Sequence, residues 1–183
     1  MAAIPDTLSS MDAGRRPFRY VGPVDLLALV RPDAGGQAIR SSAEFDEWVS
    51  GRTSEELGEP FTYVVGTAGA LLLAPRRSEH VVCAGGEAVS AAGEISFHRE
   101  SGRWAVAEVS NQSTGYCPDV DSWPSVADAL DRAGLIHPAG FTNALLFRRC
   151  PACLQLNIVR DAEFICVFCD GVLPREWNIG NRV

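Results

Sequence analysis

The sequence predicts an α+β fold: an antiparallel β-meander with a few short helices, followed by a small cysteine-rich module. Three observations favour it. Apolar runs separated by glycines fill residues 61–110, helix start and stop signals flank this stretch, and residues 146–183 hold four of the six cysteines. A content of 46% hydrophobic and 21% charged residues is typical of a globular chain. We therefore expect a flexible tail over 1–17, an α+β domain over 18–145 and the module over 146–183.

Two helices are predicted before the strands. The apolar run Val24–Leu29 indicates a short helix. Ser41 and Glu44 have the spacing of a capping box, in which each side chain bonds the other residue's backbone N–H. Apolar residues such as Trp48 follow at helical spacing, and Gly51 is a suitable C-terminal cap. We expect Trp48 to anchor the core.

The middle of the chain predicts an antiparallel meander. Ile95 and Phe97 alternate with polar residues, which is typical of a strand with one solvated face. The polar loop Ser110–Pro118 follows the last strand, and a helix is expected to begin at Trp123, where Pro124 suits the first turn. The predicted strands cover residues 61–65, 70–73, 79–83, 94–98 and 103–109.

The strongest chemical signal is a pair of CxxC motifs separated by twelve residues: Cys150, Cys153, Cys166 and Cys169. Each motif places two thiolates on one tight turn, so two turns supply four ligands for one tetrahedral ion. The intervening apolar runs flank a polar turn at 161–163, as in a β-hairpin. Phe147 and Trp177 are expected to cover the ion. Simple burial of the thiols and redox disulfides are the alternatives.

Over residues 146–183 these motifs resemble a zinc ribbon of the rubredoxin-like kind. The resemblance implies one structural Zn²⁺ held by all four cysteines. Thiolate ligands suit zinc or iron, and a closed set of four leaves no position for a reacting water. So small a module buries little apolar surface, so metal binding would supply folding free energy on the order of 10 kcal/mol.

Charge and composition narrow the function. A net charge of −7 argues against general nucleic-acid binding. No apolar run is long enough to span a membrane and no secretory signal is evident, so we expect a cytoplasmic protein with reduced thiols. All 16 basic residues are arginine, which is consistent with codon bias or with avoidance of lysine acylation. We expect an adaptor that binds a protein partner through the α+β domain and ribbon.

The polar loop offers a second interpretation. Its side chains are expected to satisfy the backbone of a turn, with the Tyr116 hydroxyl paired. Alternatively, Cys117 is the nucleophile of a small transferase. A meander, a cysteine and then Trp123-Pro124 resemble the core of ubiquitin-conjugating enzymes, although the His-Pro-Asn segment is missing and only Asn111 is nearby.

A third interpretation is an ADP-ribosyltransferase-like toxin. Arg76 and Arg77 would hold a phosphate of NAD, and His80 would act in catalysis. Glu94 or Glu108 would supply the acid. Against this, an arginine pair of this kind commonly lies in a solvated turn.

Overall fold

The computed structural model describes residues 16–180, so the predicted tail lies outside the described residues except for its last two positions. A five-stranded antiparallel sheet, a two-stranded sheet and several short helices confirm the predicted α+β class. Across residues 16–180, no helix has the length and apolar character needed to cross a bilayer.

The elements follow in chain order, with one turn of 3₁₀ helix before the last α-helix. The helices are α1 Val24–Leu27, α2 Ser42–Ser50, α3 Ser54–Leu57, α4 His80–Cys83 and α5 Trp123–Arg132. The strands are β1 Gln37–Ile39, β2 Phe61–Gly66, β3 Leu71–Ala74, β4 Val89–Glu100, β5 Arg103–Val109, β6 Leu146–Arg149 and β7 Leu156–Val159.

The large sheet has the strand order β1-β3-β2-β4-β5, which departs from a simple meander at two connections, β1 to β2 and β3 to β4. Both β3 and β4 are antiparallel to β2 and lie on opposite sides of it, so they run in the same direction. Two strands with a common direction need a crossover connection. The segment between them forms α4, which packs on β2.

The strand predicted over 79–83 is therefore wrong, because this run forms α4. A short apolar run fits a buried strand and a buried helical turn equally well. Gly85 and Gly86 end the helix with φ values of 64° and 83°, a conformation that glycine adopts without steric cost.

Both faces of the large sheet are covered. Along β2, Tyr63 and Val65 point into a core shared with α2 and α5, whereas Val64 points into a second core on the other face. This is the period of two expected for a strand. The first core contains the predicted anchor Trp48, whose ring centroid lies 4.8 Å from that of Phe61.

The loop Ser110–Pro118 fastens the C-terminal module to the sheet domain. The buried Asn111 amide donates to the carbonyls of Pro118 at 2.9 Å and Leu145 at 2.8 Å. Its oxygen accepts the Leu145 N–H at 2.7 Å. The Tyr116 hydroxyl donates to the Glu87 carbonyl at 2.6 Å. This geometry confirms that the loop's polar side chains satisfy backbone groups, and it fixes the residue immediately before β6.

Candidate metal centre

The sulfurs of Cys150, Cys153, Cys166 and Cys169 converge after β6 and β7, all within 4.8 Å of one another. The Cys150–Cys169 and Cys153–Cys166 sulfur pairs are each 3.6 Å apart. Four sulfurs about 2.3 Å from a tetrahedral centre would be about 3.8 Å apart. The four cysteines are therefore positioned to bind one metal ion.

The two CxxC turns repeat the same backbone pattern. In each, the residue after the second cysteine has a left-handed conformation and its N–H donates to the carbonyl of the first cysteine. These residues are Leu154 (φ 65°, 2.9 Å to Cys150) and Asp170 (φ 58°, 3.0 Å to Cys166). The N–H of the first cysteine donates to the carbonyl of the second residue after each motif. These bonds are 2.9 Å from Cys150 to Gln155 and 2.8 Å from Cys166 to Gly171. Each sequence motif thus forms its metal-binding turn locally.

Hydrogen bonds favour the thiolate form of the first cysteine in each turn. Burial raises the pKa of the Cys166 thiol, but the Phe168 N–H, the Cys153 thiol and the Asn157 amide help lower it to about 6. The Cys153 N–H lowers the pKa of Cys150. Despite the Gln155 and Gly171 N–H groups, burial and the neighbouring sulfurs raise the pKa of Cys153, and that of Cys169 to about 12. Thiolate is the form that binds metals, so one cysteine of each turn favours the binding form.

The residues around the sulfurs differ from the prediction in one respect. Val159 and Leu173 pack with the buried cysteines, and Phe164 borders them. Phe147 and Trp177, which were expected to cover the ion, instead join a cluster with Cys117 and Ile179 at the junction with the sheet domain. Strand alternation explains this, because Phe147 pairs with Ile158, which lies on the face of β7 opposite Val159.

The donor set is thiolate only, which suits zinc or iron, and it leaves no coordination position open. Comparison with protein-family models, with curated proteins and with solved structures finds no match.

We use the word ribbon only as a label for residues 146–180, which contain β6, β7 and the two CxxC turns. An apolar cleft of about 470 Å³ lies between these residues and the loop of the sheet domain that holds Thr114 and Cys117. We call it the junction cleft. One side is the face of β7 that carries Leu156 and Ile158, and another is the second CxxC turn with Val167 and Phe168. Val167 is 77% exposed and Phe168 63%. The remaining lining residues are Thr114, Cys117, Phe147, Asn157, Arg160, Glu163 and Ile165.

Cys117 lines the junction cleft, but its surroundings favour the neutral thiol over the thiolate. It is buried, and its sulfur lies 3.2 Å from the Thr114 carbonyl, to which it donates. Burial raises the pKa of Cys117 to about 12, despite an opposing effect of the Arg149 charge. A nucleophilic cysteine needs the reverse shift. The transferase alternative stays a prediction that this environment does not favour.

We expect Cys117 to resist alkylation in the metal-loaded protein. With a pKa of about 12, its thiolate fraction at pH 8 is on the order of 10⁻⁴. Cys83 is a matched internal control, since it is also buried with a pKa of about 12. Iodoacetamide labelling followed by peptide mass spectrometry should give equally slow rates at both thiols, and fast labelling in urea. Labelling of Cys117 at least tenfold faster than Cys83 would instead support the nucleophile.

The residues of the ADP-ribosyltransferase interpretation are not gathered into one site. Arg76 forms an ion pair with Glu59, which lies just before β2, and Arg77 is exposed. The His80 imidazole bonds a β4 carbonyl at 3.0 Å, and burial lowers the pKa of this side chain. A separate cavity of about 70 Å³ is lined by Glu94 and Glu108. Neither arginine nor His80 lines that cavity.

We expect Leu154→Gly to strengthen metal retention. Leu154 holds a left-handed conformation that costs an L-residue about 1 kcal/mol, and its side chain is 57% exposed, so little packing is lost. Zinc affinity measured against a competing chelator should rise about threefold to fivefold. Leu154→Ala is the control, because it removes the same side chain but retains the strained Cβ. If glycine gives no more than alanine, the conformation carries no such cost.

Proposed function

We propose that this protein is a small zinc-binding protein in which one structural Zn²⁺ braces a C-terminal ribbon. The ribbon and the α+β domain together form a protein-interaction or adaptor module. The observation that carries this proposal is the position of the four converging cysteines, next to an exposed apolar cleft whose wall includes the second CxxC turn.

Zinc is favoured over iron because the proposed role is structural. A closed set of four thiolates holds Zn²⁺ without redox chemistry and without an open position for a reacting water. The proposal includes a cytoplasmic setting, where thiols stay reduced. Elemental mass spectrometry on protein purified without chelator should find one zinc per chain, and Cys169→Ser should lower it. Iron, or no stoichiometric metal, would overturn this part.

The junction cleft supports a binding role for the module. Exposed apolar surface rimmed by polar residues is typical of protein-interaction sites and ligand-binding grooves. Ile165 in the cleft wall and Val172 outside the cleft also expose apolar surface on the ribbon. The occupant we propose is an apolar segment of a protein partner, held by burial of its side chains against Val167 and Phe168.

Charge narrows the partner further. Residues 146–183 carry five arginines and four acidic residues, a net charge of +1. Since the whole chain has a net charge of −7, the other 145 residues have a net charge of −8. An acidic protein would be repelled as it approached this body, a neutral one would not be, and a basic one would be attracted. We therefore propose a neutral or basic partner. Self-association through two chains of −7 is less favoured on the same grounds.

The docking proposal is tested with paired variants on one ribbon surface. Phe168→Asp places a charge in the cleft wall, and Val172→Asp places the same charge on a residue that is 74% exposed and does not line the cleft. Proteins crosslinked to the zinc-loaded chain should be retained by Val172→Asp and lost by Phe168→Asp. Each protein that is captured in this way should then bind the purified wild-type chain directly in a titration. Equal capture by both variants would overturn the docking site.

A further inference from the structure

The Asn157 side chain connects both halves of the metal centre. It is buried, with 4% exposure, on the face of β7 that points towards the sulfurs. Its amide nitrogen lies 3.0 Å from the Gln155 carbonyl, beside the first CxxC turn, and 3.5 Å from the Cys166 sulfur in the second. Its oxygen accepts the Val167 N–H at 3.0 Å. One side chain therefore bonds the backbone beside both turns and one candidate ligand.

We propose that Asn157 is a positioning residue of the metal centre, which orients the Cys166 sulfur and fixes the second turn relative to the first. The inference rests on the proposed metal site and does not depend on the docking cleft. An amide N–H stabilises a thiolate by hydrogen bonding, and a sulfur held in place loses less freedom when the metal binds. The Val167 N–H would lose its partner if the amide were removed.

A second asparagine in the ribbon separates positioning from ordinary stabilisation. Asn178 accepts the Arg149 N–H at 2.9 Å and donates to the Arg149 carbonyl at 2.8 Å. It therefore also makes side-chain hydrogen bonds to a strand of the two-stranded sheet, yet no cysteine is among its bonding partners. Replacing it should weaken the ribbon without altering the environment of a sulfur.

The test compares Asn157→Leu and Asn157→Asp with Asn178→Leu in the full chain. Outer-shell partners of metal ligands typically contribute 10- to 100-fold to affinity. We expect Asn157→Leu to lower zinc affinity within that range, measured against a competing chelator. Asn157→Asp should lower it further, because it replaces the donor with a negative oxygen beside the thiolates. Asn178→Leu should stay within about threefold of wild type.

Because the variants could weaken the fold as a whole, Co²⁺ spectra at saturating metal give an independent measurement. A hydrogen bond lowers the energy of the sulfur lone pair, so its loss should move the sulfur-to-cobalt charge-transfer band to longer wavelength in both Asn157 variants. Asn178→Leu should leave the band in place. An unchanged band at full Co²⁺ occupancy in the Asn157 variants would overturn the proposal, as would a shift of equal size in Asn178→Leu.

Failure of the proposed metal site and failure of the proposed role of Asn157 give different results. A wild-type chain that binds neither Zn²⁺ nor Co²⁺ would overturn the proposed metal site, and the inference with it. A wild-type chain that binds both ions, with Asn157 variants of equal affinity and spectrum, would overturn only the role of Asn157.

Discussion

Removing the metal from the loaded protein is expected to unfold the C-terminal ribbon and to leave the five-stranded sheet folded. The small core of the ribbon has four buried members, Val159, Leu173, Cys150 and Cys166, and two of these are candidate ligands. Without an ion, the sulfurs lose the interaction that brings the two turns together. Structural zinc supplies folding free energy on the order of 10 kcal/mol in modules of this kind. The sheet domain has separate cores on both faces and needs no such support.

Hydrogen exchange read by mass spectrometry, with and without a zinc chelator, measures this directly. Peptides from residues 150–173 should lose their protection, whereas peptides from β2 and β4 should keep it. Cys169→Ser in the absence of chelator is the matched control, and it should reproduce the chelated pattern. If β2 and β4 exchange together with the ribbon, the two parts form one cooperative unit instead.

The features that could be predicted from the sequence are those determined by short-range spacing. The two CxxC turns close through hydrogen bonds within six residues, so the motif alone specified the sulfurs. Only half of the capping box predicted for Ser41 and Glu44 is present. The Ser41 hydroxyl accepts the Glu44 N–H at 3.2 Å, but the Glu44 carboxylate bonds the Arg40 N–H and not that of Ser41. The complete capping box is formed by Thr53 and Glu56, which was not predicted.

The features that were missed depend on contacts between distant segments. The strand β1 was not predicted, and β4 begins at Val89 rather than at Glu94. Its first half is rich in Ala, Ser and Gly, which have low strand propensity, and only pairing with β2 and packing on both faces make it a strand. The position of Trp177 could not be predicted either. Its indole N–H donates to the Cys117 carbonyl at 2.8 Å, across a separation of 60 residues.

The candidate site illustrates the same division. The four candidate ligands could be predicted because residue type and spacing alone determine their chemistry. The junction cleft could not, because it requires the ribbon to lie against the Thr114–Cys117 loop. That placement depends on Asn111 holding Leu145 and on Phe147 and Ile179 packing against Cys117. None of these contacts follows a local pattern.

The second large effect is expected from Gly93→Ala in β4. A Cβ at this position would lie 2.8 Å from the carbonyl carbon of Ser110, and closer still to its oxygen. The obstacle is backbone that cannot rotate away, and the same carbonyl accepts the buried Tyr63 hydroxyl at 2.8 Å. Ser110 precedes Asn111, so moving it would also disturb the bonds that fix Leu145. We expect the free energy of unfolding to fall by more than about 3 kcal/mol.

Urea unfolding of the metal-loaded protein, followed by circular dichroism, measures the change. Gly140→Ala is the control, since a Cβ there meets no atom within 4 Å and the substitution should change stability by less than about 0.5 kcal/mol. Near-equal stability of the two variants would mean that Ser110 moves without cost. In that case the loop that carries Cys117 and holds Leu145 would be compliant. A large loss in Gly93→Ala alone would show that the Ser110 backbone, which precedes the Asn111 bonds to Leu145, is held rigidly against β4.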